Sequence, residues 1–119
     1  MADEALFFGW GEVVRGRERK AVEVFNESIQ YYGELQAAGR LEGFEAWFLA
    51  PHGGDLAGFA LLRGEREALD EIARSPEFER LQARASMIVE RTGTLNAYTG
   101  EALGRLMGQF EEATGDLGG

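Results

Sequence analysis

The chain has 119 residues, a length expected to form one domain over 1–119 with a single core. Its 12 Lys and Arg face 21 Asp and Glu, and the resulting net charge of −9 repels a phosphate backbone, which argues against nucleic acid as a partner. No cysteine is present, so disulfides and thiolate metal sites are excluded and a reducing compartment is expected.

The start, MADEALFFGW, carries acidic residues where a secretory signal needs basic ones, and its apolar run is short. No stretch approaches the ~20 apolar residues that span a bilayer. A cytoplasmic protein without a membrane partner is the expectation. Residues 6–14 (LFFGWGEVV) are aromatic and β-branched and predict the first strand, bounded by Arg15-Gly16. From Arg17 to about Ala38, Val22, Phe25, Ile29, Tyr32 and Leu35 recur at helical spacing, and Gly39 is placed to end that helix. Strands follow at 43–50 (GFEAWFLA) and 56–63 (LAGFALLR), and PHGGD between them has the composition of a hairpin turn.

In the next helical region Ala68, Leu69, Ile72 and Ala73 share a face before Ser75-Pro76-Glu77 intervenes. Serine caps the following piece and proline takes its first position, so a bend and not a loop is predicted there. Phe78, Leu81 and Ala85 continue the stripe, and 94–99 (TLNAYT) is the fourth strand. A terminal helix over about 100–114 carries Leu103, Met107 and Phe110 on one side, and GDLGG is a frayed tail.

The order contains a repeat. VVRGRER and LLRGERE each carry a strand into a helix, with Arg15-Gly16 matching Arg63-Gly64 and Ala21-Val22 matching Ala68-Leu69. Two βαβ halves in succession define an α+β chain, a ferredoxin-like βαββαβ sandwich with a core over about 5–99 and an extra C-terminal helix. They fix an architecture and no reaction.

Alternation sorts each strand into two sets. Phe7, Gly9, Gly11 and Val13, with Phe44, Ala46, Phe48, Gly58, Ala60, Leu62, Leu95 and Ala97, carry no charge and are assigned to the face under the helices. Leu6, Phe8, Trp10, Glu12 and Val14 form the other set, with Glu45, Trp47, Leu49, Phe59, Leu61, Arg63, Thr94, Asn96 and Tyr98. Left open, Trp10, Trp47, Phe8 and Phe59 would make an apolar patch too large for a soluble monomer. A second copy, sheet against sheet in a two-fold homodimer, is expected to cover it. The competing arrangement is a monomer whose terminal helix folds over that face.

The doubled βαβ halves, the broken helix DEIARSPEFERL and the aromatic sheet face together resemble the dimeric α/β-barrel superfamily. That group includes antibiotic-biosynthesis monooxygenase-like, muconolactone isomerase-like, YCII-like and NIPSNAP-like proteins, and the chain is most similar to members without an assigned function. Phe78 stands where some members place a histidine. The resemblance implies a homodimeric barrel working without a cofactor, with oxygenation of a quinol-like substrate or proton transfer on a lactone or dienone as its chemistries.

Candidate groups are few. His52, the one histidine, sits three residues before Asp55, an arrangement that suits a general base but equally a solvated turn. One histidine and no cysteine argue against a haem or zinc site, and no metal is expected. Glu12, Glu45, Arg63, Asn96 and Tyr98, interleaved with Trp10, Trp47 and Phe59, have the make-up of a small-molecule pocket. Glu12, His52 and Tyr98 are the catalytic candidates. The competing account pairs Glu12 with Arg63 as an ordinary interface ion pair. The function expected is binding of a small apolar or planar molecule in the cavity of a homodimeric barrel. The alternatives are a cofactor-independent monooxygenase- or isomerase-like enzyme, and a non-catalytic interaction module with a filled interface.

Overall fold

The computed structural model describes residues 2–117. Four strands, β1 (Glu4–Trp10), β2 (Gly43–Phe48), β3 (Gly58–Arg63) and β4 (Gly93–Tyr98), form one antiparallel sheet in the order β2-β3-β1-β4. Helix α1 (Glu18–Ala37) joins β1 to β2, and α2 (Arg66–Arg74) with α3 (Pro76–Ser86) joins β3 to β4. Helix α4 (Gly100–Thr114) and a 3-10 turn at Gly115–Leu117 follow. This is the ferredoxin-like βαββαβ arrangement, and within one chain its sheet is open. Of the expected tail, Gly118 and Gly119 lie outside the described residues.

Local chemistry sets the boundaries. Gly39 at φ +76 closes α1: its N–H donates to the Gln36 carbonyl at 3.0 Å, and the Arg40 N–H to that of Leu35 at 2.9 Å. These are the two bonds of a Schellman cap. Ser75, before Pro76, is extended at ψ 146, as a pre-proline residue prefers. Its Oγ donates to the Ile72 carbonyl (2.8 Å) and accepts from the Phe78 N–H (3.2 Å), so one residue both ends α2 and caps α3. The expected bend is therefore a one-residue break between two helices.

Cross-strand register corrects the assignment of faces. Leu6 lies opposite Leu62, Phe8 opposite Ala60 and Trp10 opposite Gly58, while Phe44 and Ala46 face Leu62 and Ala60 from β2. Leu6, Ala60 and Leu62 join Tyr32, Leu35, Leu69, Ile72 and Phe78 in the main core. The helices thus cover Leu6, Phe8 and Trp10, and the outer row is Phe7 and Gly9 with Glu45, Trp47, Phe59, Leu61, Arg63, Leu95 and Ala97. β2 and β3 hold the parity expected from sequence; β1 and β4 hold the opposite one. The cause is Glu12. Counted as part of the first strand, it marked its parity as the wet one, yet β1 ends at Trp10 and Glu12 lies beyond it, exposed.

Candidate functional site

Beneath the N-terminal half of α1 the helical layer does not close on the sheet, leaving a cavity of about 450 Å³. Small residues make the space: Ala46 and Ala60 on the floor, Ala21 on α1 and Ala85 on α3. Gly58 adds to it by letting the Trp10 indole lie across β3, since a Cβ there would come within 2.7 Å of Trp10 Cζ2. Trp10, Phe25 and Phe48 form one aromatic wall, with ring centroids 5.0 to 6.5 Å apart. The rings meet at 40 to 71° to one another, which leaves no gap for a guest between them and gives the wall a stepped apolar surface. Phe8, Val24, Ile88 and Val89 complete the lining, and at the mouth Val22 is 61% and Phe48 67% exposed.

Polar groups here are sparse. Ser28 Oγ is bound to the Val24 carbonyl at 2.9 Å. Tyr32, 2% exposed, has a phenol pushed well above its usual range by burial, with the Ser28 hydroxyl opposing that shift. It is a neutral hydrogen-bond donor at physiological pH. The Glu18 carboxylate, the other titratable group in the lining, accepts from the Gly16 N–H at 3.1 and 3.2 Å. An apolar recess of this volume with a few polar atoms has the profile of a small-molecule site.

The residues singled out from sequence do not gather at one place. Trp10 lines the cavity, whereas Glu45, Trp47, Phe59 and Arg63 occupy the opposite, open face of the sheet. There Arg63 pairs with Glu45 and not with Glu12. Glu12 keeps only its backbone engaged, its carbonyl accepting from the Glu90 N–H at 2.9 Å. His52 is held by its own turn: Nδ1 accepts from the Gly54 N–H (3.2 Å), which leaves Nε2 to donate to the Leu56 carbonyl (2.7 Å). Its expected neighbour Asp55 pairs with Arg91 at 2.7 Å.

Asn96 and Tyr98 meet at a group the sequence did not single out, Arg66. Its Nη1 donates to Asn96 Oδ1 at 2.9 Å and to Asp70 at 3.2 Å, and its Nε to Glu4 Oε1 at 2.9 Å. Its guanidinium carbon stands 5.8 Å from the Tyr98 ring centre. Nη2 lies 2.9 Å from the same Glu4 oxygen at an angle that makes no hydrogen bond. Burial pulls the Arg66 pKa down, but Glu4 and Asp70 outweigh it and hold it above its ordinary value. Arg66 therefore acts as a clamp between the start of β1, the end of β4 and α2. Among the described residues no three His, Asp or Glu side chains gather closely enough to hold a metal, and no helix is long and apolar enough to cross a membrane.

Which residues line the cavity was partly legible. Val22, Phe25, Ile29 and Tyr32 stood out as an apolar stripe, but a stripe cannot show whether the sheet beneath fills the space it leaves.

No protein-family profile matches the chain, and no curated protein matches it in sequence. Solved structures do match in shape. A dimeric protein of ferredoxin-like fold from Bacteroides fragilis aligns with a TM-score of 0.57 at 10% identity, over 80% of this chain and 95% of its own. SnoaB, a cofactor-independent oxygenase from Streptomyces nogalater, aligns at 0.55 and 16% identity over 83% and 95%. At3g17210 from Arabidopsis thaliana aligns at 0.56 and 9% over 81% and 95%. At these identities the likeness establishes the ferredoxin-like fold.

Proposed function

We propose that the chain is a homodimer, joined through its open sheet face, in which each protomer binds a small apolar or planar molecule in the cavity under α1. The observation that carries the binding reading is the cavity itself: about 450 Å³ with an aromatic wall and a single buried phenol donor. The dimer reading is supported by the outer row of the sheet, where Trp47 is 53% and Leu95 58% exposed beside stacked Phe7 and Phe59. A dimeric neighbour of the same fold agrees with it. Two such sheets facing each other would close the barrel of the dimeric α/β-barrel superfamily.

SnoaB brings a catalytic reading alongside. The cavity's own groups favour binding, since Tyr32 stays protonated at neutral pH and Glu18 is tied to the Gly16 N–H at the mouth. Neither is poised to take a proton from a guest inside.

Titration with N-phenyl-1-naphthylamine, a neutral apolar fluorophore, tests the site. In a Trp47→Phe variant the remaining Trp10 should be quenched as the probe binds, and Ala21→Phe should weaken binding by about tenfold or more. Probe binding that ignores Ala21→Phe and leaves Trp10 emission unchanged would defeat the reading. Oxygen uptake on adding a hydroxylated aromatic would move it to the catalytic alternative.

A further inference from the structure

Helix α4 is out of place on a lone chain. Of its residues only Ala102 is buried, while Leu103, Met107 and Phe110 are 46%, 51% and 63% exposed on one side. Its hydrogen bonds to the rest of the chain are at its N-terminus, where the Asp3 carbonyl accepts from the Thr99 N–H (2.8 Å) and the Asp3 carboxylate from the Glu101 N–H (3.1 Å), and Leu106, one turn after Ala102, is half-buried. Beyond that end its contacts with the strands and the other helices are sparse. The Cα radius of gyration is 16.5 Å, against about 13.5 Å expected for a compact chain of this length.

Such a helix should not hold itself together. Gly104 and Gly108 lie in its interior with open space around them, and each costs about 1 kcal/mol relative to alanine. Even alanine-rich helices of ~12–15 residues are marginal in water without packing. The order of α4 therefore calls for a surface outside the single chain, and its apolar stripe shows which side meets it.

We propose that α4 is an exchanged arm: its Leu103–Met107–Phe110 side packs on a second copy of this chain, beside the sheet-to-sheet contact. This rests on the homodimer proposed above. A second copy is the fitting occupant because the chain leaves two apolar surfaces bare that adjoin at one edge. Leu95 on β4 belongs to the open sheet face, and α4 starts where β4 ends. A two-fold axis through that face covers both surfaces at once, each arm repeating the contact of the other. A foreign partner on one of them leaves the other wet.

Hydrogen exchange of the full-length protein across a dilution series, read beside sedimentation velocity, tests the arm. Amides of 103–114 should be protected in the dimer and lose protection as it dissociates, while the β1 and β3 amides stay protected. Phe110→Asp should weaken the dimer by about tenfold or more and strip protection from α4 only. Met107→Asp, independently, should do the same. A chain that is monomeric at every concentration overturns the homodimer and the arm together. A dimer whose α4 is unprotected, or one that both substitutions leave unchanged, overturns the arm and leaves the homodimer standing.

Discussion

The two βαβ halves of the chain begin from nearly the same sequence and end in opposite packing. At the spacing that lays Arg15-Gly16 on Arg63-Gly64, Leu69 corresponds to Ala21, yet Leu69 is fully buried while the smaller Ala21 is half-buried and lines the cavity. The difference lies in the connection before each helix. Only Gly64 and Glu65 separate β3 from α2, so α2 is drawn onto the sheet and Leu69 and Ile72 seal against Leu62. In the first half residues 11–17 intervene, pinned to the segment after α3 by the Val13–Val89 bridge. The start of α1 is held off the sheet, and the space below it is the cavity. A fold that doubles its motif can thus keep one half for stability and leave the other for a guest.

Substitutions should divide along that line. The largest effect belongs to the sealed half: Phe78, 1% exposed and edge-on to Phe8 at 6.4 Å, should cost about 3–5 kcal/mol when cut to alanine. Phe25→Ala, beside the cavity, should cost clearly less because its ring already borders open space. Urea denaturation compares the two, and equal losses would break the contrast.

Ser75→Ala comes next. It removes the cap of α3 and should cost about 1 kcal/mol with an unchanged urea m-value. Smaller still is the Arg84–Glu27 pair, bidentate at 2.8 and 3.0 Å but partly exposed, which ties α3 to α1. Glu27→Gln should cost less than about 1 kcal/mol, and added salt should shrink the difference.

Ala21→Leu should change stability least while lowering probe affinity, since it grows into space that is already empty. A loss of the size that overpacking brings, about 1–3 kcal/mol, would show that α1 is as tightly seated as α2. Alkaline titration sharpens the same point. Burial raises the folded pKa of Tyr32 above its ordinary 10.0, so its contribution to stability is whole below about pH 10 and is lost as pH climbs past it. Tyr32→Phe should flatten that decline, measured by denaturation from pH 9 upward.

Much of the fold could be read from residues close together in the chain. Gly39, Ser75-Pro76 and PHGGD act through local backbone chemistry, and the structure places a helix end, a helix break and a hairpin connection there. The candidate site was another matter. Glu12 and Arg63 were paired because their strands are adjacent, but the antiparallel register sets Arg63 opposite Ala5 and leaves Glu12 past the other end of β1; Arg66 was missed because its partners Glu4, Asp70 and Asn96 come from three elements. Local patterns mark elements; contacts between elements follow from how those elements are docked.

By itself the sequence determined the order of strands and helices, the repeat, the caps and the two alternating sets on each strand. Those follow from backbone preferences and a period of two, which need only neighbours in the chain. Which set of β1 and β4 meets the helices was decided only by tertiary structure, because shifting register by one residue turns every side chain to the other face. Once Trp10 pairs across to Gly58 its indole must lie under α1, and Phe7, next to it in the alternation, must lie on the open side. The cavity was decided in the same way, as a volume left between a sheet and a helix that no stretch of the chain contains alone.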